Sequence, residues 1–406
     1  MIIIKKHILI SLFYFLVAAS LGVLLRLFPV VAVSANYKYI VHTHSHIALL
    51  GWVYVALTSL IFYLFIKKEA VKRYAVVFWC TQITIIGMLV SFPITGYALF
   101  SIIFSTLFLI CTYWFYALFR KNNACNKASY TYKFINTSLL FMVFSSIGPW
   151  VIGIIMNTLG NSSHWYKNAI YFYLHFQYNG WFIFCLLGLF FFFLEKKKIK
   201  VQKNSIKKLY ILMLLGCICT LFLSFLWIKP PVYIYIIAFI GGFLQIIALF
   251  KFYQIINNIK PELSKKLSPF LFQLLKLIYL LFIFKIVLQF VSSIPYFAEL
   301  ISQIIDFVIG YLHLTFLGLV SLSLFVFLYY FKILRLSKIW LIIYLTGFVI
   351  SEFLIFYKGF CNWQQLSIFD NYHQFLVLVS ALIPIALLGI FVQNCKAIFS
   401  TQRVLQ

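Results

Sequence analysis

The sequence predicts an all-α integral membrane protein with twelve transmembrane helices, and its composition is the first reason. Of the 406 residues, 64% are apolar and only 10% are charged, and the mean hydropathy is +1.03. A soluble chain with so few charged side chains cannot cover its surface with polar groups. The same composition excludes a disordered protein, a collagen-like protein and a disulfide scaffold.

The second reason is a series of apolar runs, each about 18 to 27 residues long, which is enough to cross a bilayer as a helix. The first run is too long for a signal peptide and lacks a small-residue cleavage site, so we expect an uncleaved first span. The predicted spans are residues 8–33, 40–66, 74–95, 97–119, 135–158, 168–194, 209–228, 231–254, 269–293, 303–331, 339–357 and 373–394.

The third reason is the distribution of positive charge. The chain has 33 Lys and Arg against 7 Asp and Glu, a net charge of +26, which on its own would suggest a nucleic-acid binder. However, 26 of the 33 cations lie at the N-terminus (Lys5, Lys6) and in alternate loops. Cytoplasmic loops are the Lys/Arg-rich ones, so both termini are predicted to face the cytoplasm of a bacterial cell. Membrane lipid therefore accounts for the charge, and no nucleic acid is expected as a partner. The other cation-rich segments are 67–73, 120–133, 195–208, 251–266, 332–338 and 395–406.

Seven of the eight histidines fall in predicted outer loops or in the outer half of a span. An ionisable residue inside the bilayer is costly, so it is a functional candidate, although an interhelical hydrogen bond is the alternative for any one of them. We take six as candidate metal ligands. These are His42, His44 and His46 in the second span, His175 in the sixth, His313 in the tenth and His373 at the start of the twelfth; His164 is in an outer loop.

The spacing of the histidine triplet, His42, His44 and His46, constrains the type of site. At about 100° per residue, His42 and His46 share one face of a helix and His44 points to the opposite face. Imidazole suits iron, copper and zinc, and haem iron is commonly held by axial histidine. No carboxylate accompanies the triplet, as a zinc site would typically require. The sequence therefore favours haem, with copper as an additional candidate.

Three of the histidines are each followed by a glycine five residues later: His46–Gly51, His175–Gly180 and His313–Gly318. Their spans are four apart, which predicts one membrane domain over residues 1–406 built from three four-helix repeats, 1–130, 131–262 and 263–406. A glycine one turn below a ligand lets a flat macrocycle approach the backbone. The alternative is ordinary close packing of helices through small residues.

These residues resemble the haem–copper oxidase subunit I superfamily, whose twelve helices have pseudo-threefold symmetry. The segment from Val41 to Trp52, VHTHSHIALLGW, is similar to the HxH-x4-G-W segment of cbb-type oxidase catalytic subunits. It also resembles the HxHE-x3-G segment of NnrS, a twelve-span haem–copper membrane protein linked to the nitric-oxide response. The topology resemblance covers the whole chain, and the motif resemblance covers about a dozen residues and the two other His-x4-Gly pairs.

The resemblance implies roles for individual residues. His44 matches the first histidine of the motif, which binds the active-site haem in the oxidases, and His46 matches the second, which binds a low-spin haem. By symmetry the axial partner of His46 is either His175 or His313. Arg26, at the outer end of the first span, is a candidate partner for a haem propionate, or alternatively an interface anchor.

The chain also departs from the oxidase pattern. The seventh span lacks the His-His pair that holds copper there, and the tenth span has Tyr311-Leu312-His313 in place of HxH. The intramembrane acids are limited to Glu352 and Asp306, so proton pumping and full oxidase activity are not expected.

The predicted function is a membrane protein that binds one or two b-type haems for electron transfer or for nitric oxide or oxygen chemistry. Redox or accessory membrane subunits are candidate partners. One alternative is a transporter built from repeats, which predicts helix breaks, with Gly148-Pro149 and Pro384 as the candidates. The other alternative is a non-catalytic accessory subunit.

Overall fold

A computed structural model describes the backbone of residues 2–403 and the side chains of residues 2–398. The end of the predicted cation-rich segment 395–406 lies outside the described residues. Twelve helices in the described residues are long and apolar enough to cross a membrane. In lipid every backbone polar group has to be paired internally, and helices achieve this within one segment. In chain order the spans are Ile2–Leu27, Tyr37–Phe65, Lys68–Thr95, Leu99–Asn122, Tyr130–Thr158, His164–Lys196, Lys203–Ile228, Val232–Lys266, Pro269–Val291, Ile305–Tyr330, Lys338–Gln364 and Tyr372–Ile398.

The prediction of twelve spans is confirmed, and two of the differences in their bounds have a clear physical reason. The first span ends at Leu27 rather than near residue 33, because Pro29 disfavours helical backbone at the residue before it. The eighth span continues to Lys266, twelve residues beyond the predicted end. Its extension has an apolar face, since Ile255, Ile259 and Leu263 recur every four residues and are buried. Hydropathy alone does not detect such an amphipathic extension.

Local interruptions follow specific residues. The fifth span is interrupted at Ser146, between helices Tyr130–Ser145 and Ile147–Thr158, immediately before Gly148-Pro149. Pro384, in contrast, lies inside an unbroken helix. Of the two breaks that a transporter would predict, the structure contains a one-residue interruption at the first and no break at the second.

The chain divides into two compact units. Unit 1 is Met1–Ala124 with Leu324–Gln406, and unit 2 is Cys125–Ser323. In unit 1 the first span packs on the second and the twelfth, the third on the fourth, and the eleventh on the twelfth. In unit 2 the fifth span packs on the sixth, the seventh on the eighth, and the eighth on the ninth. The three predicted repeats stay a prediction.

Candidate functional site

The second, sixth and tenth spans, which carry the His-x4-Gly pairs, are the three most buried in the protein. Within the apolar part of each, 78%, 94% and 72% of the residues are buried, whereas the other nine spans range from 28% to 44%. A helix that faces lipid exposes much of its surface. These three spans are instead enclosed mainly by other helices, so their polar residues are held in a protein interior.

Each of the three spans changes from α-helix to π-helix directly after its histidine. The π segments are Ile47–Tyr54, Phe176–Phe182 and Leu314–Val320, and the residues just before them are His46, His175 and His313. These histidines lie nine, eleven and eight residues after Tyr37, His164 and Ile305, the first residues of their helices. π-Helices are rare and frequently mark functional sites. The same local structure thus recurs every four spans.

The glycines of the first two π segments allow close helix packing. A Cβ atom added at Gly51 would lie 2.7 Å from Tyr14 Cβ in the first span. One added at Gly180 would lie 2.7 Å from Phe141 Cβ in the fifth span. In this structure the space beside each glycine is therefore filled by an aromatic residue of the preceding span. Gly318 is buried within the third π segment.

In unit 1, His44 lies against the first span. Its Nδ1 is 2.8 Å from the carbonyl oxygen of Ala18, and its ring occupies space that a Cβ at Gly22 would restrict, with Cε1 at 3.1 Å. A carbonyl oxygen only accepts hydrogen bonds, so Nδ1 carries the proton and, in the neutral ring, Nε2 holds the lone pair. This is the tautomer that binds a metal through Nε2.

His42 and His46 face the other side of the second span, as the helical geometry predicts. Nδ1 of His46 donates to the carbonyl oxygen of His42 at 2.8 Å, and its Nε2 lies 3.4 Å from the Tyr97 hydroxyl. The rings of His46 and Phe92 are 4.4 Å apart, and the rings of His42 and Tyr97 are 4.6 Å apart. The second span therefore presents imidazoles to two different surroundings within unit 1.

Arg26 interacts with polar residues of the eleventh and twelfth spans. Its Nη1 donates to the hydroxyl of Ser380 in the twelfth span, and it interacts electrostatically with Glu352 and Tyr372. Glu352 is only 7% exposed, and neither of its carboxyl oxygens accepts a hydrogen bond. Ser380 is thus a hydrogen-bond partner of Arg26. This bond uses one of the five N–H groups of the Arg26 guanidinium.

In unit 2, His175 is hydrogen-bonded through both ring nitrogens. Nε2 lies 2.9 Å from the carbonyl oxygen of Cys217 and therefore carries the proton. Nδ1 accepts from the side-chain amide of Asn179 at 3.2 Å. His175 is 2% exposed. In this structure Nε2, the nitrogen that carries the lone pair in His44 and His46, is protonated in His175, so His175 is not arranged to bind a metal through Nε2.

The remaining histidines occupy separate places. Nδ1 of His313 donates to the carbonyl oxygen of Ile309 at 2.9 Å, so His313 has the same tautomer as His44 and His46. The rings of His373 and Tyr372 are 5.1 Å apart. His7, which sequence reasoning set aside, is buried and stacks on Phe78 at 3.5 Å. Within residues 2–398, no group of three or more His, Cys, Asp or Glu side chains is arranged to hold a metal ion.

A polar cluster that sequence reasoning missed surrounds Lys285 in the ninth span. Its Nζ donates to Asn179 Oδ1 and to Gln289 Oε1, both at 2.5 Å, and the Tyr311 hydroxyl donates to the same Gln289 oxygen at 3.3 Å. The sequence does contain one indication of this cluster, a lysine inside an apolar span with a glutamine four residues later on the same helix face. Without the fold, nothing in the sequence links Lys285 to His175 through Asn179.

Comparisons with family models and with curated proteins give no match for this chain.

Proposed function

We propose that the protein binds b-type haem through histidines of its second and tenth spans and uses it for electron transfer or for chemistry of a diatomic gas such as nitric oxide or oxygen. The observation that carries this proposal is the shared hydrogen bonding of His44, His46 and His313. Each donates Nδ1–H to a backbone carbonyl at 2.8–2.9 Å. Metal-binding histidines almost always donate their second nitrogen in this way, which fixes the ring and directs Nε2 towards the metal.

Haem, when bound, would supply a redox-active iron that can also bind a diatomic gas. The chain's own residues hold the imidazoles as neutral rings within a largely apolar bundle, which excludes water and influences the redox potential. The remaining N–H groups of Arg26 suit a propionate carboxylate. His175 does not fit as a ligand in its present hydrogen bonds, so His44 and His46 are the favoured ligands in unit 1 and His313 in unit 2.

The recurrence of histidine, π-helix and glycine every four spans also supports the proposal of three four-helix repeats in an oxidase subunit I-like arrangement. Copper has weaker support. The described residues contain no cluster of three ligands, so we propose no step that depends on copper. We place the protein in a bacterial cytoplasmic membrane with both termini in the cytoplasm, on the basis of its alternating loop charges.

A reduced-minus-oxidised visible spectrum of the purified protein, with iron analysis, tests the haem proposal. We expect a haem α-band and about one or two irons per chain. A preparation made with haem available that has neither an α-band nor iron would refute the proposal.

Ligand variants test the assignment. His44→Ala, His46→Ala and His313→Ala should each change the haem spectrum or lower the haem content, since each removes an imidazole that we propose as a haem ligand. His164→Ala is the matched control, because His164 begins the sixth span and packs on Trp227 at 5.3 Å. Haem unchanged in all three ligand variants, or lost only in His175→Ala, would overturn this ligand set.

A further inference from the structure

Lys285 is a buried cation in unit 2 without a counter-ion. It is 1% exposed, and no carboxylate oxygen in the described chain lies within 4 Å of its Nζ. Among the side chains that the structure describes, its hydrogen-bond partners are the neutral amide oxygens of Asn179 and Gln289. An uncompensated ammonium group in a protein interior is unfavourable, because its attraction to water is lost and no opposite charge replaces it.

The direction of every hydrogen bond in this cluster is determined. An ammonium group only donates, so Asn179 turns its oxygen to Lys285 and its NH₂ to His175. For the same reason Gln289 turns its oxygen to Lys285, and the Tyr311 hydroxyl donates to that oxygen too. The NH₂ group of Gln289 is left buried without an acceptor. Gln289 is only 4% exposed, so bulk solvent does not supply that acceptor.

The cluster therefore retains donors that have no acceptor. An ammonium group has three N–H bonds and two are used, and the Gln289 amide has two more with no acceptor. Both side chains project from the same helix, four residues apart, and are in direct contact. We propose that Lys285 and Gln289 form a binding site for a small monovalent anion, which supplies both the missing charge and the missing acceptor.

The surroundings define the class of anion. Lys285, Gln289 and Asn179 are at most 4% exposed, so a halide or a three-atom anion such as nitrite is favoured over a phosphate or sulfate. A carboxylate has the same chemistry, and it could come from a free acid or from a haem propionate. The site does not depend on haem binding, so it is tested in protein prepared without haem.

The experiment measures the thermal unfolding midpoint of the purified haem-free protein in detergent at constant ionic strength. Gluconate is replaced stepwise by chloride, by nitrite or by acetate, and binding of radiolabelled chloride is measured in parallel. We expect a saturable rise of the midpoint for the wild type and its loss in Lys285→Met. In Gln289→Leu the apparent affinity should fall by about tenfold or more, since a hydrogen bond to a charged group is lost.

Lys276→Met is the matched control. It removes a cation from the same helix, but Lys276 lies over the Phe272 ring at 4.7 Å and contributes nothing to the cluster. Its anion response should equal that of the wild type. Stabilisation by acetate alone would support the site and assign it to a carboxylate group. A wild-type midpoint that responds to none of the three anions, together with no bound chloride, would overturn the proposal even if Lys285→Met fails to fold.

Discussion

Substituting the glycine of a π segment tests whether it serves helix packing or faces a cofactor. In Gly51→Ala the new Cβ would lie 2.7 Å from Tyr14 Cβ and 2.8 Å from Tyr14 Cγ. These atoms are at the base of the tyrosine side chain, so rotation about its bonds cannot move both of them away. Backbone has to shift instead, and such overpacking typically costs about 1–3 kcal/mol. Alanine has a better helix propensity than glycine, which stabilises the folded state by at most about 1 kcal/mol. We therefore expect a net loss of stability.

Equilibrium unfolding in mixed micelles measures this loss for Gly51→Ala and for Gly180→Ala, which meets Phe141 in the same way. Gly153→Ala is the matched control, because a Cβ at Gly153 meets nothing within 4 Å. We expect the control to be as stable as the wild type or slightly more stable. Equal stability of all three variants would refute the packing role. If haem content fell while the haem-free protein kept its stability, the glycines would face the cofactor.

Three further predictions concern separate parts of the chain. Burial and the negative charge of Glu195 raise the pKa of Cys125 to about 11, so a maleimide should react slowly with it at pH 8 and faster as the pH approaches that value. A rate at pH 8 equal to that of an exposed thiol would contradict this. Asn179→Leu should cost about 3 kcal/mol or more, because it removes partners of both a buried cation and His175. In a Lys285→Met background the same change should cost at least about 1 kcal/mol less, and additive losses in mixed micelles would refute that coupling. A fluorescent protein fused to the C-terminus should fluoresce, because the loop charges predict a cytoplasmic C-terminus; an active alkaline phosphatase fused there would instead indicate the opposite orientation.

The membrane spans were predictable because lipid imposes one requirement on every residue of a span. A run of apolar side chains satisfies that requirement whatever the tertiary fold, so hydropathy finds all twelve spans. The faces of the triplet were predictable for a similar reason, since helix geometry alone separates His44 from His42 and His46. The sequence does not show which helices pack against each other. Arg26 and its partner Ser380 are 354 residues apart, and no local pattern connects them.

The candidate site was predictable in part. Composition and spacing identify the histidines, but the role of each depends on what its ring nitrogens contact. His46 and His175 have the same glycine spacing and the same π segment after them, yet they have opposite tautomers. The difference arises because a carbonyl in the seventh span, that of Cys217, faces Nε2 of His175. Such a contact exists only in the folded bundle.

Each π segment changes how far one α-helical half of its span is rotated about the helix axis relative to the other half. A π turn holds one residue more than an α turn, and one residue corresponds to about 100° of rotation around a helix. The half of the second span that ends at His46 and the half that resumes at Val55 are therefore out of phase with each other. The number of residues between them sets the direction of the histidine relative to the half that begins at Val55. A single-residue insertion or deletion there would redirect the imidazole without changing the histidine itself.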